Sequence, residues 1–477
     1  MFKTTFQYYT ILFAGLLAVA SCKVPSLASK NENKSVPEAY AEIKDSINMS
    51  DIDWRKFFTD PNLLNLIDTA LQRNQELNIT LQHIDIARND IRFRQGPLAP
   101  VVAARLGSGV EKVGRYTSQG AGDASTDITP GKEVPEALTD ITAAVYANWE
   151  VDIWHKLRNA KKAALTRYLS TVEGRNFVIT NLVAEVANSY YELLALDNQL
   201  EIVKQNIALQ QNALDIVKVQ KEAAKVTELA VQKFQAEVYN SQSLEYDLLQ
   251  RIKETENKIN FLLARYPQEI PRSHDNFLET VPPMVSSGVP SQLLANRPDI
   301  KRAELDLAAA KLDVKVARAE FYPSFEISGA LGFQAFKPSL LIKSPESLLY
   351  SLAGDLAGPL INRNAIKAEY YTANSRQLQA MYNYERSILN AYLEVSTQLS
   401  KIDNLRKSYD LKIKQVDALT RSIDISNSLF STARADYFEV LMTQRDALES
   451  KLELVETKKD QMAAVVNIYR DLGGGWK

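Results

Sequence analysis

The sequence predicts a mainly α-helical chain with a β part that crosses a membrane, and three observations lead there. One unit of helix, strand, strand, helix and helix is written twice. Each copy holds a stretch of about 65 residues without proline and with apolar residues every seven, the mark of a long coiled-coil rod. Beyond the first twenty or so residues no run of about 18 apolar residues occurs, so a membrane crossing by the rest of the chain falls to strands.

The duplication shows when Leu77 is placed under Ile300. Ile84 then meets Leu307, Ala87 meets Ala310, Ile91 meets Val314, Leu98 meets Phe321, Pro100 meets Pro323 and Gly109 meets Gly332. Further along, "RNAKKAA" (158–164) resembles "RNAIKAE" (363–369), and "NSYYE" (188–192) resembles "NAYLE" (390–394). The first copy covers 56–266 and the second 298–477. The linker between them, 267–297, carries Pro267, Pro271, Pro282, Pro283 and Pro290, which forbid a continuous helix.

Each copy opens with a medium helix, expected over Pro61–Gln95 and Pro298–Glu320. Both begin behind a polar cap, Asp60 or Asn296, with proline in the first turn. Strands are expected at Val101–Lys112 and Ala137–Asp152 in the first copy, and at Ser324–Phe336 and Ser347–Pro359 in the second. Val102, Ala104, Leu106, Ser108 and Val110 share one face of the first strand, opposite Arg105 and Gly109. In the second, Ile141, Ala143, Val145, Ala147, Trp149 and Val151 share a face, while Thr142 and Asn148 point the other way. Such length and alternation suit a tilted bilayer strand, and suit a soluble hairpin packed on helices equally well. The connection 114–136, rich in Gly, Ser, Thr and Asp, is expected to be a water-exposed loop.

The rods are expected at Leu157–Glu222 and Asn364–Phe430. Val186, Leu193, Leu200, Ile207 and Leu214 recur every seven residues, with Leu196, Val203 and Val217 between them and polar Gln210 interrupting. About 65 residues at 1.5 Å each make a rod near 100 Å. Turns at Ala223–Thr227 and Thr432–Asp436 lead into return helices ending near Arg265 and Leu472, the last followed by glycines. Four strands from one chain cannot close a barrel, and open edges are not tolerated in lipid. The chain must therefore oligomerise, pooling strands into one barrel and rods into one tube.

At the N-terminus, Lys3 precedes an apolar core from Ile11 to Ala20, then Val19-Ala20-Ser21 leads into Cys22, the one cysteine. A lone cysteine makes no internal disulfide. Residues 1–21 resemble a bacterial lipoprotein signal, which implies that Cys22 is acylated and anchors the mature chain to a leaflet. Residues 22–55 then read as a lipid-anchored tether, flexible where Ser, Asn, Lys and Glu dominate.

Together, "VPSQLLANRPDIKRAE" (289–304), "AEFYPSFEISGALG" (319–332), "WEVDIWHKLRNA" (149–160), "ADYFEVLMTQRDALES" (435–450) and "YRDLGGGW" (469–476) resemble the TolC-like outer-membrane efflux factors, in the lipoprotein branch that serves resistance-nodulation-division (RND) pumps. The resemblance implies a homotrimer whose twelve-stranded outer-membrane β-barrel is continuous with an α-helical periplasmic barrel. It implies a passive exit duct working with a periplasmic adaptor protein and an inner-membrane RND pump, in a Gram-negative bacterium. By the same resemblance the adaptor meets the hairpin tips, Ala224, Lys225 and Val226 in one copy and Ala433, Arg434 and Ala435 in the other. Phe438 and Met442, with Arg445 a turn deeper, become the periplasmic gate. Relatives commonly place a carboxylate where Met442 stands and glycine where Ala433 stands. A ring of Met and Phe would close by apolar contact and dewetting.

Chemistry for catalysis is missing from the reading. His83, His155 and His274 are far apart and lack ligand spacing, and neither a GxSxG elbow nor a P-loop occurs. "GAGDAS" (120–125) lacks a following helix, and Glu228 with Lys233 reads as a solvated helix face. The expectation is no enzyme, no cofactor beyond the lipid on Cys22, and no metal site. A formal charge of −2 gives no reason to expect nucleic acid. Two other readings stand beside the efflux duct: the same fold serving protein secretion, and a lipid-anchored periplasmic scaffold without a pore.

Overall fold

The computed structural model describes residues 24–27, 30–40, 48–273, 277–280, 282, 285–358, 361, 363–432 and 434–477. The leader and Cys22, His274, Pro283, Pro359 and Ala433 lie outside the described residues. In chain order the main elements are α1 (Trp54–Phe57), α2 (Pro61–Arg73), α3 (Gln75–Gln95), β1 (Val101–Glu111), α4 (Ser118–Asp123), β2 (Asp127–Thr129), β3 (Lys132–Glu133), β4 (Leu138–Val151), α5 (Lys156–Glu222) and α6 (Glu228–Leu262). The second copy continues with α7 (Gln292–Asn296), α8 (Pro298–Ala319), β5 (Ser324–Ala335), β6 (Leu348–Ala357), α9 (Asn364–Ser431) and α10 (Tyr437–Asp471).

The expected rods are α5 and α9, of 67 and 68 residues. The return helices α6 and α10 are 35 residues each. Four expectations need correction. Asn296 is the last residue of α7 rather than the cap of α8, because Arg297 stands between it and Pro298. The first medium helix is two helices, because Asn74 leaves the helical path and caps the second: its Oδ1 accepts from the Leu77 amide at 3.0 Å. The loop 114–136 holds the single turn of α4 and the β2–β3 hairpin. The tether is docked where it is described. Val24 and Leu27 pack on Ala317, Phe321, Tyr370 and Ala373, and Tyr40, 1% exposed, stacks on Tyr392 at 5.4 Å. Lys34 pairs with Glu304 at 2.6 Å. Burial of the Tyr40 ring outweighs the polarity that makes the segment read as solvated; the half-exposed Lys34–Glu304 pair adds little.

The chain forms two compact units that cut across the repeats. One gathers 1–31, 85–169 and 305–381, including the sheet; the other gathers 32–84, 170–304 and 382–477. In the first unit the sheet order is β1-β4-β5-β6, each pair antiparallel. In the second, Leu214, Val217, Ala230, Val231, Phe234, Val238 and Val440 form a cluster behind the first hairpin tip. Above this cluster an apolar cleft of about 570 Å³ separates α5 from α9 and α10, lined by Leu209, Ile216, Ile423, Phe430 and Leu448 among others.

Candidate functional site

The sheet has two unlike faces. Register extends the apolar face named from sequence on β1 and β4 across all four strands: Ala104, Val145, Leu331 and Tyr350 form one row, and Leu106, Ala143, Phe333 and Leu348 the next. Most of these side chains stand in the open, with Leu106 82% and Tyr350 74% exposed, while Ala143 and Phe333 are half-buried. The band reaches from the row of Val151, Phe325 and Leu356 to that of Ser108, Ile141 and Ala335. Ten residues at about 3.3 Å, tilted by about 40°, cover about 25 Å, the height of a bilayer-facing band. The other face carries Arg105, Asp140, Thr142, Asn148, Glu150, Glu326, Ser328, Gln334 and Asp355. Gln334 donates to both Asp140 oxygens at 2.9 Å. On this face Gly332 lies against Ala144, where a Cβ would come within 2.3 Å of the backbone, so only glycine lets the strands approach so closely.

The phrase "WEVDIWHKL" is the strand-to-rod junction. Trp149 donates its indole N–H to the Leu98 carbonyl at 3.2 Å, and Trp154 to that of Pro323 at 2.8 Å. Leu98 and Pro323 sit on the equivalent turns of the two copies, so each turn is held by an indole. Asp152 accepts from the Leu157 and Arg158 amides, both at 2.9 Å, satisfying two donors at the start of α5. His155 takes a positive φ of 59° at this corner, and His83 is exposed.

At the first tip Ala224 has φ 51°, and the Lys225 amide closes onto the Gln220 carbonyl at 2.8 Å. At the second the Arg434 amide closes in the same way onto Leu429 at 2.9 Å. Ala224, Lys225 and Arg434 are exposed, Ala435 is half-buried, and Val226 packs partly on the tip cluster. Glu228 pairs across the turn with Lys221 at 2.5 Å instead of along the helix with Lys233. On α10, Val440, Gln444, Ala447 and Leu448 face the core. Phe438, Met442 and Arg445 form a stripe beside that face. Phe438 is 55% exposed, Met442 is half-buried, and Arg445 is exposed, with Asp446 at 3.7 Å.

Two of the phrases quoted from sequence, read there only as a helix start and a helix end, meet in one joint. Arg297 of "NRPDI" is buried. Its Nε and Nη2 bond Asp299 at 3.0 and 2.7 Å. Its Nη1 bonds Glu394 of α9 at 2.7 Å and the Asp471 carbonyl, at the end of α10, at 2.9 Å. Burial opposes the charge, but the two carboxylates outweigh it, and the guanidinium is held more basic than usual. "DLGGGW" closes the joint: Gly473, at φ 91°, packs so that a Cβ would lie 2.6 Å from the Asn296 carbonyl oxygen. An arginine directly before a helix-starting proline, with an aspartate two residues on, was the available signal.

A two-faced antiparallel sheet with an exposed apolar band, joined to paired helical rods, defines a β-type membrane channel with a helical extension. The family description "Outer membrane efflux protein" matches residues 66–265 and 289–474. The pyoverdine export outer membrane protein OpmQ of Pseudomonas aeruginosa is 30% identical over 430 residues, covering 90% of this chain and 88% of that one. The probable outer membrane lipoprotein SilC of Salmonella typhimurium is 24% identical over 480 residues, covering 99% of each. Among solved structures, CusC superposes with a TM-score of 0.81 at 22% identity, covering 94% of this chain and 99% of that one. The chain belongs to the outer membrane efflux protein family. It is an exit duct in the outer membrane, extending into the periplasm, for an efflux system.

Proposed function

We propose that three copies close a twelve-stranded barrel continuous with a helical tube, and that the tube receives cargo from an RND pump through a periplasmic adaptor. The observation that carries this is the pair of edges. β1 and β6 are the outer strands of the described sheet and run antiparallel to each other, so β6 of one copy continues into β1 of the next with the apolar band outward. The polar face then lines the lumen. In it Glu150, Glu326 and Asp355 stand side by side across three strands, Glu150 also pairing with Lys156 at 2.6 Å.

Ala224, Lys225, Val226, Ala433, Arg434 and Ala435 present the tips to the adaptor, and acylated Cys22 anchors the chain. Phe438 and Met442 form an apolar gate with Arg445 behind it; the exposure of Phe438 away from the tip cluster supports that role. Detergent-extracted protein is expected to run as a heat-modifiable trimer and to conduct ions in planar bilayers, and a monomer without conductance overturns the reading. Phe438→Ala and Met442→Ala are each expected to raise the resting conductance. If neither does, the constriction lies elsewhere. Loss of palmitate labelling in Cys22→Ser tests the anchor.

A further inference from the structure

The α9/α10 hairpin is held by apolar packing of Val440 at its tip end and by ion pairs and hydrogen bonds at the other. At the tip end it borders the 570 Å³ cleft, where Gln444 is buried with its Oε1 unpartnered. At the far end Arg297 grips both helices of the hairpin, α9 through Glu394 and α10 through the Asp471 carbonyl. The first copy has the same joint in neutral form. Asn74, the equivalent of Arg297 in the duplication, donates to the carbonyl of Leu262, the last residue of α6, at 2.9 Å. Asn74 reaches that carbonyl alone; Arg297 adds two carboxylates, one of them on the rod.

We infer that Arg297 is a positioning residue for the channel, the pivot that sets the tilt of the α9/α10 hairpin and so the resting position of the Phe438–Met442–Arg445 stripe. The inference rests on the gate reading given above. Leverage makes it sensitive: Met442 lies 29 residues from Asp471, about 44 Å along the helix, so a tilt of about 5° at the joint moves the stripe by about 4 Å. The cleft gives that movement room. The fixed guanidinium geometry holds Asp299 bidentately while reaching Glu394, so direction as well as distance is set.

The test compares resting conductance in planar bilayers, and trimer melting in detergent, for wild type, Arg297→Gln, Arg297→Lys, Glu394→Gln and Asn74→Ala. Arg297→Gln is expected to raise resting conductance about threefold or more with the trimer intact, and Arg297→Lys to restore part of the closed state. Glu394→Gln, which spares the other Arg297 bonds, is expected to raise it less. Asn74→Ala is expected to lower the melting temperature without raising conductance. A lower melting temperature with wild-type conductance in Arg297→Gln makes the joint purely structural and overturns the inference. Should Arg297→Gln fail to assemble, wild-type conductance in Glu394→Gln does the same. Phe438→Ala and Met442→Ala separate the two claims. If both leave conductance unchanged while Arg297→Gln raises it, the pivot stands and the gate residues are wrong; the reverse result removes the pivot alone.

Discussion

Asn74 and Arg297 occupy one place in two copies of a single design, and the helices they hold end alike. Past α6, Ala264 takes φ 51° and the Arg265 amide bonds the Asn260 carbonyl at 3.0 Å. Past α10, Gly473 takes φ 91° and the Gly474 amide bonds that of Tyr469 at 2.9 Å. The plan is the same helix-ending turn with a left-handed residue. Around it the copies diverge. The first tolerates a methyl group and a neutral amide; the second packs glycine against Asn296 and buries a guanidinium among carboxylates. Duplication thus conserved the backbone joint and concentrated charge and close packing in the copy whose return helix carries Phe438, Met442 and Arg445, the proposed gate stripe.

The largest effect expected from breaking this difference is that of Gly473→Ala. The added carbon meets backbone, which cannot yield, in a conformation that L residues resist. A loss of about 3 kcal/mol or more is expected, read as a clear fall in trimer melting temperature. An unchanged melt means the second joint is not tighter than the first. Next comes Asp471→Asn. The Asp471 carboxyl is 2% exposed and its Oδ2 lacks a hydrogen-bond partner. Burial pushes its pKa up despite Arg470. The folded state therefore binds this proton more tightly than the unfolded chain, so the cost of the charge is fully present above the raised pKa and disappears as pH falls toward the ordinary carboxylate range. The variant is expected to melt higher than wild type at neutral pH, by about 1 kcal/mol, with the gap closing in acid. A gap that is constant with pH removes the explanation. The smallest effect is that of Ala264→Gly, expected to stabilise by about 0.5–1 kcal/mol because the left-handed strain is relieved. A destabilised variant shows that the methyl group contributes packing the comparison overlooks.

Strand and rod limits were legible because proline, alternation and heptads are local signals. β5 starts at Ser324, directly after Pro323, and α5 and α9 begin and end within a residue of expectation. The two faces of β1 and β4 were legible from the same alternation; the strand order and register were not. What stayed hidden was long-range or carried by a single residue. Arg297 and Asp471 are 174 positions apart, and nothing in either segment names the other. Asn74 breaks its helix without glycine or proline, because its side chain substitutes for the backbone bond it gives up. Tyr40 docks a segment whose composition argues for solvation. Phe438 and Met442 are singled out only through family resemblance; a Met and a Phe on a helix read by themselves as core.

The unmatched borders of the sheet carry a consequence for how cells build this channel. In the proposed three-copy ring, a solitary copy bears two rows of unanswered amides and carbonyls that hydrocarbon cannot accept, so insertion has to wait for, or coincide with, meeting two siblings. A subunit with a damaged β6 that still offers a sound β1 will enlist healthy siblings and leave the ring unsealed. Defective alleles of this kind should act dominantly, poisoning a mixed population in proportion to their share.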